Sequence, residues 1–190
     1  MSCKALFIAL GGILMASSAS SAADWGTPTE SAGIFSGARM GIMSHDPFLR
    51  EKGSIDIQGE VLFHAPYSSD HQYRFVRQFL SPRPHIGFSA NTAGKTSYAY
   101  VGLTWNYDIW GPIFLETTFG GAVHNGETKD VSETMEPLGT RILFRESASI
   151  GFRYNQKWSI MATVEHLSNA GIGDYNHGLT HVGGKIGYEF

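Results

Sequence analysis

His166 and Ser168 lie two residues apart at the end of a run that alternates between apolar and polar side chains. The even positions of this run, from Lys157 to Ser168, are Trp158, Ile160, Ala162, Val164, His166 and Ser168. Side chains two apart on a β-strand share a face, so this histidine and serine end one apolar face together. A neutral imidazole can take a proton from a serine hydroxyl and activate it for acyl transfer. The spacing therefore predicts a nucleophile and its base on an apolar surface.

Composition limits the class of protein. The chain has 190 residues, a formal net charge of −3, 42% hydrophobic, 13% aromatic and only 16% charged residues. Its length suits one domain, and it is poor in charge and rich in aromatic residues for a soluble protein. The near-neutral charge argues against nucleic acid as a partner.

Residues 1–23 have the pattern of a cleaved secretory signal. Lys4 supplies the positive charge, residues 5–15 are apolar, and Ser21-Ala22-Ala23 offers a small-residue cleavage site. The alternative is a membrane anchor, but the apolar stretch is too short to span a bilayer. The only cysteine, Cys3, lies in this segment, so the mature chain would have neither a disulfide nor a cysteine-based zinc site.

Turn-forming residues divide residues 24–190 into about eight short alternating segments. We predict strands at 34–45, 54–65, 85–92, 97–109, 113–124, 141–154, 158–168 and 178–190, with a short helix within 67–84. One face of the segments is apolar, and the other carries charges of both signs that could pair inside a small lumen. This pattern predicts an all-β fold, an eight-stranded antiparallel transmembrane β-barrel. The alternative is a secreted β-sandwich or a lipocalin-like barrel.

The end of the chain supports the membrane barrel. Ile186, Tyr188 and Phe190 alternate on one face and resemble the terminal strand of bacterial outer-membrane barrels. We therefore expect the protein in the outer membrane of a Gram-negative bacterium, with both termini in the periplasm. The long loops after Ala65, His124 and Ser168 are then expected outside, with His166 at the outer end of the seventh strand.

A catalytic histidine usually needs a carboxylate to orient it. Glu165 is adjacent to His166 but is predicted to face the lumen. Glu146 is the only charge on the apolar face of the sixth predicted strand, and it lies opposite His166 if Tyr154 pairs with Trp158. The alternative is a glutamate under the lipid headgroups or bound to a cation.

Two motifs, His166-Leu-Ser168-Asn169-Ala170-Gly171 and Asn176-His-Gly178, together with the aromatic last strand, resemble PagL-type lipid A 3-O-deacylases. This family consists of eight-stranded outer-membrane hydrolases, and the similarity is strongest over residues 143–190. It implies removal of the ester-linked 3-hydroxyacyl chain at position 3 of lipid A in lipopolysaccharide, without a metal or cofactor. It also implies Ser168 as nucleophile, His166 as base, and Asn169, Gly171 and Asn176 in the loop that shapes the oxyanion site. A homodimer is left open.

One position departs from the family pattern. The family's acid falls two residues after the glycine of Asn-x-Gly, where this chain has Thr180. If Ser168 faces Gly178 across the hairpin, Thr180 lies opposite His166 on the eighth strand. We expect Glu146 to orient His166 from the other side, with Thr180 hydrogen-bonded to the imidazole.

Three functions compete on these observations: an esterase acting on lipid A, a non-catalytic adhesin or structural barrel, and a narrow channel. Eight strands leave an interior just wide enough for side chains, which disfavours the channel. An adhesin would carry its distinctive residues in outer loops, whereas His166 and Ser168 are predicted on the lipid-facing wall. The alternative is that the histidine and the serine are not catalytic and only contact the lipid headgroups. The placement therefore favours the esterase.

Overall fold

A computed structural model describes residues 33–190, which form a closed barrel of eight antiparallel strands. The strands are β1 (Phe35–His45), β2 (Ser54–Phe63), β3 (Arg83–Asn91), β4 (Tyr98–Trp110), β5 (Ile113–His124), β6 (Ile142–Arg153), β7 (Trp158–Ser168) and β8 (Leu179–Glu189). Each strand pairs with the next, and β8 pairs with β1, so the sheet has no open edge. The predicted fold class is confirmed, while the predicted signal, residues 1–23, lies outside the described residues.

Side chains alternate between the lumen and the outer wall along the strands, apart from irregularities at residues 35–37 of β1 and 108–110 of β4. The outward aliphatic residues Ile42, Val101, Ile150 and Ile160 are 57–62% exposed. The lumen instead holds charged side chains, all less than 5% exposed: Arg39, Glu60, Glu116, Arg145, Glu165 and Lys185. A barrel in water would reverse this arrangement, so the outer wall is built to face lipid.

A network of polar side chains centred on Glu165 fills the middle of the lumen. The Glu165 carboxylate forms an ion pair with Arg145 and accepts a hydrogen bond from the Tyr98 hydroxyl. Gln58 Nε2 donates to the same carboxylate at 3.2 Å, and Lys185 Nζ lies 3.8 Å from it. These contacts balance the buried charges and fix the direction in which β7 faces, because Glu165 can bind them only from inside.

The segment between β2 and β3 carries the helix α1 (Arg74–Leu80) and lies at the end of the barrel with the short turns 111–112 and 154–157. Trp105 Nε1 donates to the Phe79 carbonyl at 2.9 Å, and Arg74 pairs with Asp108, so α1 packs against the end of β4. The expectation that the loop after Ala65 lies outside is wrong. Successive turns of an antiparallel barrel alternate between its ends, so this segment is on the side of the termini.

No helix in residues 33–190 is long and apolar enough to cross a membrane.

The outer loops 46–53, 92–97, 125–141 and 169–178 are tied together by two buried carboxylates. Glu51 accepts hydrogen bonds from His45 Nε2 at 2.9 Å, from the Thr96 backbone N–H and from the Glu136 backbone N–H, the last two at 3.0 Å. Glu136 in turn contacts His177 Nδ1 at 2.9 Å. Burial alone would raise the pKa of the Glu51 carboxyl, but its hydrogen bonds lower the pKa below the usual value. The loops therefore form one connected cap.

We expect Glu165→Gln to lower the free energy of unfolding by about 3–5 kcal/mol, because it leaves the Arg145 guanidinium buried without its main counter-charge. Urea unfolding of the barrel in lipid vesicles, followed by tryptophan fluorescence, measures this. Asp130→Asn is the control, since the ion pair of Asp130 with Arg50 is exposed and should contribute little. A loss below about 1 kcal/mol for Glu165→Gln would contradict a central role for this carboxylate.

Candidate active site

The side chains of His166 and Ser168 are half-buried on the outer wall, at the outer end of β7. Their neighbours Glu165 and Leu167 are 1% and 0% exposed in the lumen, so the alternation of the strand places the histidine and the serine on the lipid side. The two predicted pairings of His166 are confirmed. It lies opposite Glu146 on β6 and opposite Thr180 on β8.

The imidazole of His166 is held through Nδ1. Nδ1 lies 2.9 Å from Thr180 Oγ1, so the predicted hydrogen bond is confirmed. Gly178 packs against the ring edge that carries Nε2: a Cβ added there would lie 2.9 Å from Cε1 and 3.1 Å from Nε2. Gly178 also has φ +69°, which favours glycine. The contacts leave Nε2 as the nitrogen that can serve Ser168.

Glu146 is exposed on the outer wall and makes no hydrogen bond or ion pair within the described part of the chain. It lies between His166 on β7 and Phe119 on β5 in the register of the sheet. Directly opposed residues have Cβ atoms about 4.5–5.5 Å apart. The position therefore permits an electrostatic interaction with His166, and its role stays a prediction.

Sequence reasoning missed Asp46, which directly follows β1 and is completely buried. Asp46 Oδ1 accepts from the Thr180 backbone N–H at 3.4 Å, and Oδ2 accepts from the Glu51 N–H at 3.3 Å. Burial raises the pKa of the Asp46 carboxyl, with weaker opposition from these two N–H groups. This carboxylate supports β8 behind the threonine that holds His166. Asp46 also has φ 42°, an uncommon conformation for a residue other than glycine.

Asn169 organises the loop that follows Ser168. Its side chain is buried, and Nδ2 donates to the carbonyls of Leu138 at 2.9 Å and Tyr175 at 2.6 Å. Its Oδ1 accepts from the Gly171 N–H at 2.8 Å, and its own N–H donates to Asn176 Oδ1 at 2.9 Å. The loop is therefore held in one shape against the neighbouring outer loop 125–141.

These bonds change which groups of the predicted oxyanion loop can bind a ligand. The backbone N–H groups of Asn169 and Gly171 are already used inside the loop. The N–H of Ala170 and Nδ2 of Asn176 make no hydrogen bond within residues 33–190. The Asn176 amide must present its oxygen to Asn169, so its Nδ2 faces elsewhere. Ala170 has φ 55°, a strained conformation typical of functional turns.

Ser168 itself lies opposite Phe144 on β6, and its hydroxyl makes no hydrogen bond within the described residues. Cα atoms two apart on a strand are about 6–7 Å from one another. Side chains that share a face at this spacing can close the gap, and catalytic hydrogen bonds are often long before substrate binds and shorten only in the complex.

The family model described as lipid A 3-O-deacylase (PagL) matches residues 52–189. The crystal structure of the outer membrane enzyme PagL matches with a TM-score of 0.59 at 15% identity, over 80% of this chain and 97% of that chain. The N-terminal β-barrel domain of Pseudomonas aeruginosa OprF gives 0.52 at 9% identity, over 83% and 98%. A de novo designed transmembrane β-barrel gives 0.50 at 13% identity, over 85% and 100%. At these identities the structures show similarity of fold alone. No curated protein matches the sequence.

We expect Asn169→Ala to loosen the loop, with protection against amide hydrogen exchange at Gly171 falling by about 1–3 kcal/mol as its acceptor is lost. Hydrogen exchange followed by mass spectrometry of peptides from residues 168–178 measures this. The control is Asn155→Ala, because Asn155 Oδ1 also accepts two backbone N–H bonds, both at 2.8 Å, in a turn at the opposite end. Unchanged exchange in the 168–178 peptides would contradict the role of Asn169.

Proposed function

The chain belongs to the lipid A 3-O-deacylase (PagL) family, and from this premise we propose that Ser168 and His166 hydrolyse the ester-linked 3-hydroxyacyl chain at position 3 of lipid A. The family membership makes the chain an ester hydrolase of the outer membrane. The observation that carries the finer proposal is the outward placement of both side chains at the outer end of β7. A lipid in the outer leaflet meets a barrel on this wall, so the nucleophile must face it.

The proposed reaction is acyl transfer through a serine ester. His166 Nε2 takes the proton of the Ser168 hydroxyl as Oγ attacks the ester carbon of the substrate. When the tetrahedral intermediate collapses, the imidazolium returns this proton to the sugar oxygen, which leaves as a hydroxyl. A water molecule, deprotonated by His166, then attacks the acyl-serine, and the fatty acid is released with Ser168 restored.

The negative charge on the ester oxygen needs preorganised donors. The N–H of Ala170 and Nδ2 of Asn176 support this part of the proposal, since both are donors without partners within the described residues. Asn169 and Gly171 would act indirectly, because their hydrogen bonds hold the loop in shape. Donors that are already oriented need no rearrangement as the charge develops, which is the source of their catalytic effect.

The imidazolium formed during the reaction needs a counter-charge. We propose Glu146, whose carboxylate shares the outer wall with His166 and lies opposite it. Thr180 would complement it by fixing the ring through Nδ1. In the family one acidic residue both orients the histidine and balances its charge. Here Thr180 on β8 would orient the ring, and Glu146 on β6 would balance the charge.

The wall beside the serine suits an acyl chain. Phe144, opposite Ser168, stacks on Phe119 with ring centroids 6.1 Å apart, and both rings are exposed on the outer face. An acyl chain lying along these rings would bring its ester to the outer end of β7. Apolar contact of this kind contributes binding but little discrimination of chain length.

Ser168→Ala should abolish deacylation, with a loss of at least about a thousandfold in rate, because it removes the nucleophile. Mass spectrometry of lipid A from cells that express each form gives the result. Wild type should remove one 3-hydroxyacyl chain, and the variant none. Ser149→Ala is the control, since Ser149 is a lumen serine bonded to Thr163. Identical lipid A from wild type and Ser168→Ala would reject the proposed mechanism.

Glu146→Ala should lower kcat about ten- to a hundredfold with little change in KM, because it acts on the imidazolium and not on substrate binding. Glu146→Asp should recover part of kcat. Steady-state kinetics with purified lipid A in detergent measures both constants. Thr180→Val, which removes the bond to Nδ1, is the companion variant. Near-normal kcat in Glu146→Ala together with a low kcat in Thr180→Val would assign the orienting role to Thr180 and reject it for Glu146.

A further inference from the structure

Two histidines and an aspartate meet at the outer end of the lumen, apart from the Ser168 site. His45 on β1, Asp56 on β2 and His181 on β8 come from three adjacent strands, and each is 0% exposed. His45 lies directly opposite His181 in the register of β1 and β8. Buried ionisable side chains of this kind are kept by pairing or by binding a metal.

Three atoms of this cluster form a small triangle. His45 Nδ1 and Asp56 Oδ2 are 2.9 Å apart, and His181 Nε2 lies 3.1 Å from the same Oδ2. The third side, between the two imidazole nitrogens, is 3.2 Å. Tetrahedral zinc with ligand bonds of about 2.0–2.1 Å holds its ligand atoms about 3.3–3.4 Å apart. The triangle therefore needs only a small expansion to enclose a zinc ion.

Hydrogen bonds alone explain the triangle poorly. His45 Nδ1 and His181 Nε2 can each donate to the Asp56 carboxylate, but the two nitrogens then face each other at 3.2 Å as two donors with no hydrogen bond between them. His181 Nδ1 is buried without any hydrogen-bond partner among the described residues. A cation bound by all three atoms would instead accept electron pairs from both nitrogens and from the carboxylate at once.

The surroundings of His45 also match those of a metal ligand. Its second nitrogen, Nε2, lies 2.9 Å from Glu51 Oε2, the carboxylate–histidine arrangement that orients many metal-binding imidazoles. Asp56 Oδ1 accepts from Asn91 Nδ2 at 2.7 Å and Oδ2 accepts from Ser89 Oγ at 3.2 Å, so hydrogen bonds from outside the triangle hold the carboxylate in place. A divalent cation would balance the charges of the two carboxylates, Asp56 and Glu51.

We propose that His45, Asp56 and His181 bind one Zn²⁺ ion that joins β1, β2 and β8. Two imidazole ligands and one carboxylate favour zinc over Ca²⁺ or Mg²⁺, which prefer oxygen ligands throughout. The site is closed to lipid and lies in the lumen, so the ion has a structural role. It anchors β8 at His181. The preceding residue, Thr180, points to the outer wall and contacts His166 there.

The test uses the untagged, folded barrel in detergent, incubated with zinc and then freed of excess zinc by gel filtration. Mass spectrometry of the metal content should find about one zinc ion per wild-type barrel. Asp56→Asn and His181→Ala should retain less than about a tenth of that amount. His85→Ala is the matched control, because His85 is another buried lumen histidine, bonded to Thr104 and outside the triangle.

Two further measurements separate metal binding from folding and from catalysis. Co²⁺ bound to the wild type should show the strong visible absorption of a tetrahedral site, which requires no variant. Ser168→Ala should bind zinc as the wild type does, so failure of the catalytic proposal would leave this result unaffected. A folded wild-type barrel that retains no zinc, or a His181→Ala variant that retains a full equivalent, would overturn the proposal.

Discussion

The ion pair between Glu165 and Arg145 in the lumen is the contact on which the position of the candidate active site depends. The carboxylate of Glu165 is bound by Arg145, Tyr98 and Gln58, and none of these partners can be reached from the outer wall. Because a strand alternates with a period of two, holding Glu165 inside forces His166 and Ser168 outside. A shift of β7 by one residue in its register would place His166 and Ser168 in the lumen. It would also bury the apolar side chains of the same face among the charges of the lumen. The interior thus determines what the lipid-facing surface can do.

The same logic links the interior to the site through β8. Thr180 holds His166 on the outer wall, while its neighbour His181 lies in the lumen with His45 and Asp56. The backbone N–H of Thr180 also reaches the buried carboxylate of Asp46. One strand therefore carries the residue that supports His166, the proposed catalytic base, on one face and a buried polar cluster on the other. Any contact that fixes the cluster of His45, Asp56 and His181 therefore also fixes β8, the strand that orients the imidazole of His166.

Alternation of polar and apolar residues made the strands, the closed barrel and the pairing of Glu146 with His166 predictable from sequence. The alternation and one assumed turn pair, Tyr154 with Trp158, were sufficient for that register, and the structure has this pair.

The alternation of a strand does not extend into loops. For this reason the sequence did not reveal Asp46, or that the N–H groups of Asn169 and Gly171 are hydrogen-bonded within their loop. The cluster of His45, Asp56 and His181 had a usable signal, since all three fall at lumen positions near the outer strand ends. The error about the loop after Ala65 came from its length, because long loops are commonly external, whereas strand count alone decides the side.

An outward residue in the middle of a barrel hairpin has two cross-strand neighbours, one on each adjacent strand. For His166 these are Glu146 and Thr180, each directly opposite it in the register of its pair of strands. Either position could therefore carry the acid that we propose for the site, with the histidine and the serine unmoved. The remaining position then needs only a group that fixes the ring, and a threonine hydroxyl does so at 2.9 Å from Nδ1. A barrel wall permits either arrangement because register, and not the shape of a loop, sets the distances between its side chains.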